Sequence, residues 1–312
     1  MNKLFIILSI SISLLLAGCG MNQQKKEGSP NGETVTLTHS LGTIDVLKNP
    51  QRVVVLDYSA LENLDFLGIK PVAIPKSNLP SHLRKYGDDP SIVDVGSITE
   101  ANLEKINEVN PDLIIMGGRI IDFYNQLSGI APVLYPQITD ADDYMAAFEK
   151  NLNDLALLFD KQDEVDIALE GVRKKVEEVN EVTSGSDAKA LILLHNRGRF
   201  SAYGSGSRFG MVHDVLGVRE AVEGLEVHRH GNPVSSEFVQ KTNPDILFIV
   251  DRSMVVDKAI LDKAEVENKL IQQTNAAKNS KIYYLSPEMW YLAGGGITSL
   301  NIMIDEVAQA FN

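Results

Sequence analysis

The sequence predicts an α/β fold of two Rossmann-like lobes, each with a central, parallel-rich sheet, joined by one long backbone helix and facing each other across a cleft. Three observations predict it. The string NPDLIIMGGR at residues 110–119 is repeated in similar form as NPDILFIVDR at 243–252. Each half also carries an apolar strand followed by an amphipathic helix that ends at a glycine. Between the halves, residues 143–182 show helical spacing, with neither glycine nor proline before Gly171.

The N-terminus predicts export and anchoring. Residues 1–18 combine a basic start, a short apolar run and small residues at the end, which is typical of a secretory signal rather than a single-pass anchor. The string LAGC at 16–19 resembles the lipobox of bacterial lipoproteins, whose cysteine is lipidated and becomes the mature N-terminus. We therefore expect a lipid on Cys19, a flexible tether over 19–33, and attachment to the extracytoplasmic side of the cell membrane. Because Cys19 is the only cysteine, no disulfide can form within the chain.

The charge of the chain excludes one class of partner. The formal net charge is −13, and loss of Lys3 with the signal would make it −14. Nucleic-acid binding needs a clustered basic surface, so an acidic body argues against it. The same acidity makes any inward-pointing arginine notable, because the average field of the protein repels anions.

The two lobes follow from the repeat. The N-terminal lobe is predicted over residues 34–142 and the C-terminal lobe over 185–312. Strand–helix–strand units with continuously apolar strands imply parallel sheets that helices cover on both faces. The amphipathic helices of the two halves end near Gly68 and Gly217, which suit the left-handed conformation of a helix C-cap.

A helical connection is predicted over residues 143–184. Its apolar face runs from Phe148 and Leu152 to Val165 and Val172, opposite a charged face. A long helix in this position acts as a stiff strut, so we expect lobe movements of limited amplitude. Residues 297–311 are predicted to form a closing helix of the C-terminal lobe.

Arg119 and Arg252 end the two repeated strands. In open α/β sheets, ligands bind beyond the carboxyl ends of the strands. Two arginines aimed from two lobes at one cleft therefore predict a site for an anionic ligand. The alternative is that each side chain simply reaches solvent.

Together, the lipobox, the two lobes, the crossing helix and the string NLEKINEVNPDLII at 102–115 resemble one family. It is the helical-backbone class of ABC-importer substrate-binding lipoproteins, which serve siderophores, haem and cobalamin. The resemblance covers essentially all of residues 33–312. Within the class, the strings SRFGMVHDVLG at 207–217, HG at 230–231, SEF at 236–238, VDR at 250–252 and WYL at 290–292 are similar to those of catecholate-siderophore binders, especially the petrobactin type.

The resemblance implies three arginines around a ferric tris-catecholate centre, here Arg119, Arg208 and Arg252. Arginine suits such a ligand, because its fork donates several hydrogen bonds, its plane stacks on aromatic rings and it keeps its charge when partly desolvated. The amphipathic helix that Arg208 introduces would also favour an anion at its N-terminus. Burying an arginine without its anion is costly, so we expect the empty cleft to be open and wet.

The resemblance further implies that a histidine and a tyrosine fill iron positions left open by shorter ligands. His230 and Tyr291 match that pair, and His230 is preferred to His228 because it directly precedes the glycine of the motif. The alternatives are a surface histidine and a core tyrosine. Tyr58 and Tyr203 follow strands in the two lobes and are expected to pack against catechol rings.

Glu104 and Glu237 stand near the starts of equivalent helices. The helix dipole alone could explain both. The resemblance adds that one glutamate of each lobe docks on arginines of the importer permease.

The implied function is capture of a ferric catecholate siderophore and its delivery to an ABC permease driven by an ATPase. We expect a monomer, no enzymatic activity and no cofactor other than the ferric siderophore held as ligand. A haem binder of the same class is the main alternative, and cobalamin ranks below haem because it lacks comparable negative charge. A secreted α/β hydrolase ranks lower still, because GSGS at 204–207 lacks the spacing of a nucleophile elbow.

Overall fold

Two sheets position the functional site. The computed structural model describes residues 32–138 and 143–312. The predicted signal, Cys19 and residues 20–31 of the tether lie outside the described residues, as do residues 139–142 at the predicted end of the first lobe. Within the described ranges, every helix falls short of the combined length and apolarity that crossing a bilayer requires.

The N-terminal lobe is built on a five-stranded parallel sheet. Its elements in chain order are β1 (Thr34–His39), β2 (Gly42–Leu47), β3 (Val53–Leu56), α1 (Tyr58–Phe66), β4 (Ala73–Ile74), α2 (Arg84–Asp88), β5 (Val93–Asp94), β6 (Gly96–Ser97), β7 (Glu100–Ala101), α3 (Leu103–Glu108), β8 (Leu113–Met116), α4 (Tyr124–Ser128) and β9 (Val133–Leu134). The sheet order is β5-β4-β3-β8-β9, and all of its neighbouring pairs are parallel. Strands β3 and β8 are buried at every position, as continuous apolar strands predict.

Two helices connect this lobe to the next, α5 (Tyr144–Phe159) and α6 (Gln162–Ser184). The helical spacing across 143–182 belongs to two helices, because Asp160 adopts the left-handed conformation with φ 55° and ψ 47° and ends α5. Aspartate tolerates this conformation better than most residues do, so a two-residue break fits between two amphipathic helices. The long helix of the connection is α6, with 23 residues.

The C-terminal lobe has a mixed sheet. Its elements are β10 (Lys189–Asn196), β11 (Arg199–Tyr203), α7 (Met211–Asp214), β12 (Arg219–Glu220), β13 (Asn232–Val234), α8 (Ser236–Thr242), β14 (Ile246–Asp251), α9 (Arg252–Val256), α10 (Lys263–Val266), α11 (Asn275–Lys278), β15 (Ile282–Leu285) and α12 (Ile297–Ala308). The order is β13-β11-β10-β14-β15, with β12 also on β10. Strands β10, β14 and β15 are parallel, as predicted, whereas β11 is antiparallel to β10 and to β13. The predicted helix near 209–217 is only the single turn α7, and β11 separates it from β10.

The closing helix α12 docks on the N-terminal lobe, contrary to its predicted place in the second one. Glu62 of α1 accepts hydrogen bonds from the backbone and side chain of Ser299, at 2.9 and 2.8 Å. Asn63 accepts from the Ile297 amide at 2.9 Å. These acceptors satisfy amides of the first turn of α12, which have no hydrogen-bond partner within the helix itself. One apolar cluster extends through both lobes and α12, which fits the expectation of limited lobe movement.

Candidate binding cleft

A cavity of about 840 Å³ lies between the lobes. It opens beyond the carboxyl ends of β3, β8 and β14, where a doubly wound sheet places ligands. Both lobes contribute to its wall. The predicted site residues among its lining are Arg119, Tyr203, Arg208, His230, Arg252 and Tyr291.

Tyr291 brings the three arginines together. Arg119 Nη2 donates a 2.5 Å hydrogen bond to the backbone carbonyl of Tyr291, and Arg208 Nη2 donates to the same carbonyl. Arg252 Nε donates to the Tyr291 hydroxyl at 2.9 Å. The guanidinium carbons of Arg119, Arg208 and Arg252 lie 4.8, 4.3 and 5.7 Å from the centre of the phenol ring. The three cations therefore surround one aromatic ring, within the range of cation–π contact.

Four different elements supply these groups. Arg119 follows β8 in the 3₁₀ turn Gly118–Phe123, and Arg252 is the first residue of α9, directly after β14. Arg208 lies in the loop before α7; because that helix has only four residues, the predicted anion site at its N-terminus is not supported. Tyr291 lies in the π-helical turn Glu288–Leu292, a conformation that is frequent at functional sites.

The three arginines keep their charge available. Among the residues that the structure describes, the arginines in ion pairs are Arg173, Arg197 and Arg219, each paired at the surface or near it. Burial and the nearby charge of Arg119 lower the pKa of Arg208 to about 10. Arg208 is thus a largely buried cation that forms no ion pair with an Asp or Glu among the described residues.

The Tyr291 phenol is shifted toward its ionised form. Burial raises its pKa, but the hydrogen bond from Arg252 and the charges of Arg119 and Arg208 outweigh burial, so the pKa lies below its ordinary value. The phenol thus offers the arginines an aromatic ring and a hydrogen-bonding oxygen, two features that a catechol shares.

The loop that carries His230 packs on Tyr203. Gly231 has φ +67°, and a Cβ there would lie 2.6 Å from the Tyr203 ring, so both conformation and space require glycine. Burial raises the pKa of Tyr203 to about 12. His230 is exposed and lines the cavity, whereas His228 bonds Glu226 at 2.9 Å outside the described lining. Nowhere in the described ranges do three His, Cys, Asp or Glu side chains cluster to hold a metal ion.

Tyr58 corrects the prediction made for it. Its side chain is 1 % exposed, its hydroxyl donates to the Ser77 carbonyl at 2.5 Å, and it is not among the described residues that line the cavity. As the first residue of α1 it turns into the core, and its neighbours Asp57 and Ser59 face the cleft instead.

Sequence reasoning missed other cleft residues. Arg229 is exposed and lines the cavity as a fourth arginine, and its place beside His230 was the signal for it. Asp57 also lines the cavity and caps α1 by accepting from the Ala60 amide at 3.0 Å. Burial raises the pKa of Asp57, and the charge of Arg119 offsets part of that effect.

Glu104 and Glu237 occupy matching positions away from the cleft. Each is the second residue of a short helix, α3 or α8, and each side chain is exposed. The hydrogen bond from Ser235 and the Glu237 amide lower the pKa of Glu237. Two exposed carboxylates thus mark equivalent points on the two lobes.

Comparisons with known proteins agree with this geometry. The family model described as "Periplasmic binding protein" matches residues 53–289. The chain is 37 % identical to the petrobactin-binding protein YclQ of Bacillus subtilis (strain 168), with 98 % of both chains covered. It is 35 % identical to the ferric-anguibactin-binding protein FatB of Vibrio anguillarum, over 95 % of this chain and 94 % of FatB. It is also similar to the crystal structure of the periplasmic catecholate-siderophore binding protein VctP from Vibrio cholerae, with a TM-score of 0.84, 31 % identity, and coverage of 88 % of this chain and 99 % of VctP.

Proposed function

Because this chain belongs to the periplasmic binding protein family, we propose that it captures a ferric catecholate siderophore in the cleft and delivers it to an ABC permease for iron uptake. The observation that carries the proposal is the convergence of Arg119, Arg208 and Arg252 on Tyr291. Membership of the family confirms the expectation of a binding protein rather than an enzyme. The function is therefore capture without chemistry.

Charge explains the choice of ligand. Iron(III) bound by three doubly deprotonated catechols carries three surplus negative charges, which three guanidinium groups offset. Arginine also stacks on catechol rings and donates to their oxygens. Here the three arginines lie around the Tyr291 ring, with Arg119 and Arg208 donating to its backbone carbonyl and Arg252 to its hydroxyl. A cavity of about 840 Å³ suits a ligand of the size of a chelated iron complex.

The relatives support a ferric siderophore as the ligand. One is named for petrobactin, one for ferric anguibactin, and the VctP structure for catecholate siderophores. We extend that class to this chain, with a petrobactin-type ligand as the specific proposal. For shorter ligands, we propose that His230 and the Tyr291 phenolate fill iron positions that the siderophore leaves open, since imidazole and phenolate are acceptable ligands for iron.

The partners follow from the family. A binding protein of an importer delivers its ligand to a permease, which an ATPase drives. We propose that Glu104 and Glu237 contact this permease. We also propose that the protein is a monomer tethered through lipid on Cys19 to the extracytoplasmic face of the membrane, with residues 1–18 removed as its signal.

Fluorescence of Trp290 tests the ligand class. Trp290 is the only tryptophan of the chain, lines the cavity, and donates from Nε1 to Glu306 at 2.7 Å. Titration with ferric siderophores, haem and cobalamin should give saturable quenching with ferric catecholates. Quenching by haem alone would contradict the siderophore proposal and indicate a haem-binding protein. Alanine at Arg119, Arg208 or Arg252 should each weaken ferric-catecholate binding by about 1.5–3 kcal/mol, as expected for hydrogen bonds to charged groups.

A further inference from the structure

We infer that His195 is a positioning residue for ligand capture: it occupies the carboxylate of Asp251 and so leaves the neighbouring Arg252 free to face the cleft. The inference rests on the proposed function, because it assigns Arg252 to the ligand. His195 itself lies behind the cleft, in the core of the C-terminal lobe, and is not among the described residues that line the cavity.

The pair lies at the carboxyl ends of two parallel strands, β10 and β14. His195 of β10 stands opposite Asp251 of β14 in the register of the sheet, and the side chains are 1 % and 3 % exposed. His195 Nδ1 lies 3.1 Å from Asp251 Oδ2. The Gly198 amide donates to His195 Nε2 at 2.9 Å, so Nε2 carries the lone pair and Nδ1 carries the proton. His195 therefore donates to Asp251.

The second oxygen of Asp251 is also occupied. Oδ1 accepts from the Ser253 amide at 2.9 Å and from the Ser253 hydroxyl at 2.5 Å, and it thereby caps helix α9. Arg252 lies between these two residues in the chain. Its side chain points the other way, with Nε on the Tyr291 hydroxyl at 2.9 Å and Nη1 at 3.4 Å from Asn196 Oδ1.

Burying a carboxylate without its hydrogen-bond donors costs free energy, and pairing with a nearby cation offsets that cost most strongly. Without His195, the nearest cation along the chain to Asp251 is Arg252. A pair between these adjacent side chains would cancel the charge that the ligand needs. Glu265 lies 3.4 Å from His195 Nε2, but the Gly198 amide already occupies that nitrogen, so Glu265 does not replace Asp251 as the partner of the ring proton.

The N-terminal lobe shows why only one arginine needs this arrangement. The repeat that pairs Arg119 with Arg252 pairs Gly118 with Asp251. No acidic residue directly precedes Arg119. Asp251 directly precedes Arg252, so its carboxylate must be held by other hydrogen-bond donors.

Variants of His195 and Asp251 test the inference. The probe is iron(III) with excess 2,3-dihydroxybenzoate, and the readout is quenching of Trp290 in the whole chain. His195→Leu removes the donor and should weaken binding by about tenfold. His195→Asn keeps a donor near the position of Nδ1 and should bind within about twofold of the unmodified protein. Adding Asp251→Asn to His195→Leu removes the competing charge while keeping an acceptor for Ser253, and should restore binding.

Two controls separate this inference from the proposed function. His39→Leu removes a half-buried histidine that contacts the Val133 carbonyl at 2.9 Å and is not itself among the described lining residues, and it should lower stability without changing affinity. If the unmodified protein fails to bind the probe, or Arg252→Ala binds as tightly, the proposed function fails. If Arg252→Ala weakens binding but His195→Leu does not, or Asp251→Asn does not restore it, the inference is overturned. Should the single His195→Leu variant fail to fold, the double variant must still fold and bind.

Discussion

Arg119 of the N-terminal lobe donates to the backbone carbonyl of Tyr291, 172 residues away in the chain. The carbonyl belongs to the turn Glu288–Leu292, which follows β15, the last strand of the C-terminal sheet. Arg208 of that lobe donates to the same oxygen. One carbonyl thus joins an arginine of each lobe and holds both beside the phenol ring. Together with Arg252 on the Tyr291 hydroxyl, this arrangement places three cations around one aromatic ring.

Arg208→Met is expected to separate stability from binding. The pKa of Arg208 is lowered to about 10 by burial and by Arg119, so its charge opposes folding at neutral pH and is relieved only as pH rises through about 10 toward its ordinary value. Removing the charge should raise the melting temperature of the ligand-free protein by about 2 °C while weakening ferric-catecholate binding. Calorimetry with and without ligand measures both. A lower melting temperature without ligand would show that the Tyr291 contacts outweigh burial.

The Tyr291 phenol is expected to ionise below pH 10. Burial raises its pKa, yet Arg252, Arg119 and Arg208 lower it more, so the net direction is downward. Its contribution to stability is present above the unfolded-state pKa and is lost as pH falls through the lowered folded-state pKa. Absorbance at the phenolate band, with Tyr291→Phe subtracted, follows this residue alone. Arg252→Gln should move the midpoint upward, and an unchanged midpoint would remove Arg252 as a cause.

The strands and the arginines could be predicted because local pattern fixes them. Residues 113–116 and 246–249 are apolar throughout, which only a sheet covered on both faces accommodates, and both strands are buried at every position. An arginine directly after such a strand must lie at its carboxyl end. Both Arg119 and Arg252 line the cavity for that reason.

Contacts between distant segments could not be predicted in this way. The helical spacing of apolar residues continues from α5 to α6 across the break at Asp160, so periodicity does not reveal the break. Tyr58 and Tyr203 both follow strands, but the start of α1 turns Tyr58 into the core. The role of the Tyr291 carbonyl depends on a backbone atom, which no residue type encodes.

Glu104→Gln and Glu237→Gln are expected to preserve ligand binding and impair uptake. Both side chains are exposed on equivalent helices and are not among the described residues that line the cavity, so affinity for the ferric ligand should not change. Loss of charge at a docking surface mainly slows association, and the double variant should lower uptake about tenfold. Uptake of radiolabelled iron by cells carrying each variant measures the effect. Glu108→Gln, exposed on the same helix as Glu104, serves as control, and normal uptake by the double variant would rule out the docking role.

Glu62 is expected to govern the stability of the inter-lobe region. Its carboxylate is 1 % exposed and accepts from His82 at 2.7 Å as well as from Ser299 at the start of α12. Glu62→Ala removes the acceptor of the His82 ring and of the Ser299 amide and should lower the free energy of unfolding by about 3 kcal/mol. Glu62→Gln keeps one acceptor oxygen and should lose less. Denaturant unfolding measures each variant against Glu170→Ala, an exposed substitution on α6 expected to change stability by less than about 0.5 kcal/mol. If Glu62→Ala matched Glu170→Ala, the carboxylate would not be what fastens α12 to the N-terminal lobe, and apolar packing against α1 would have to hold it alone.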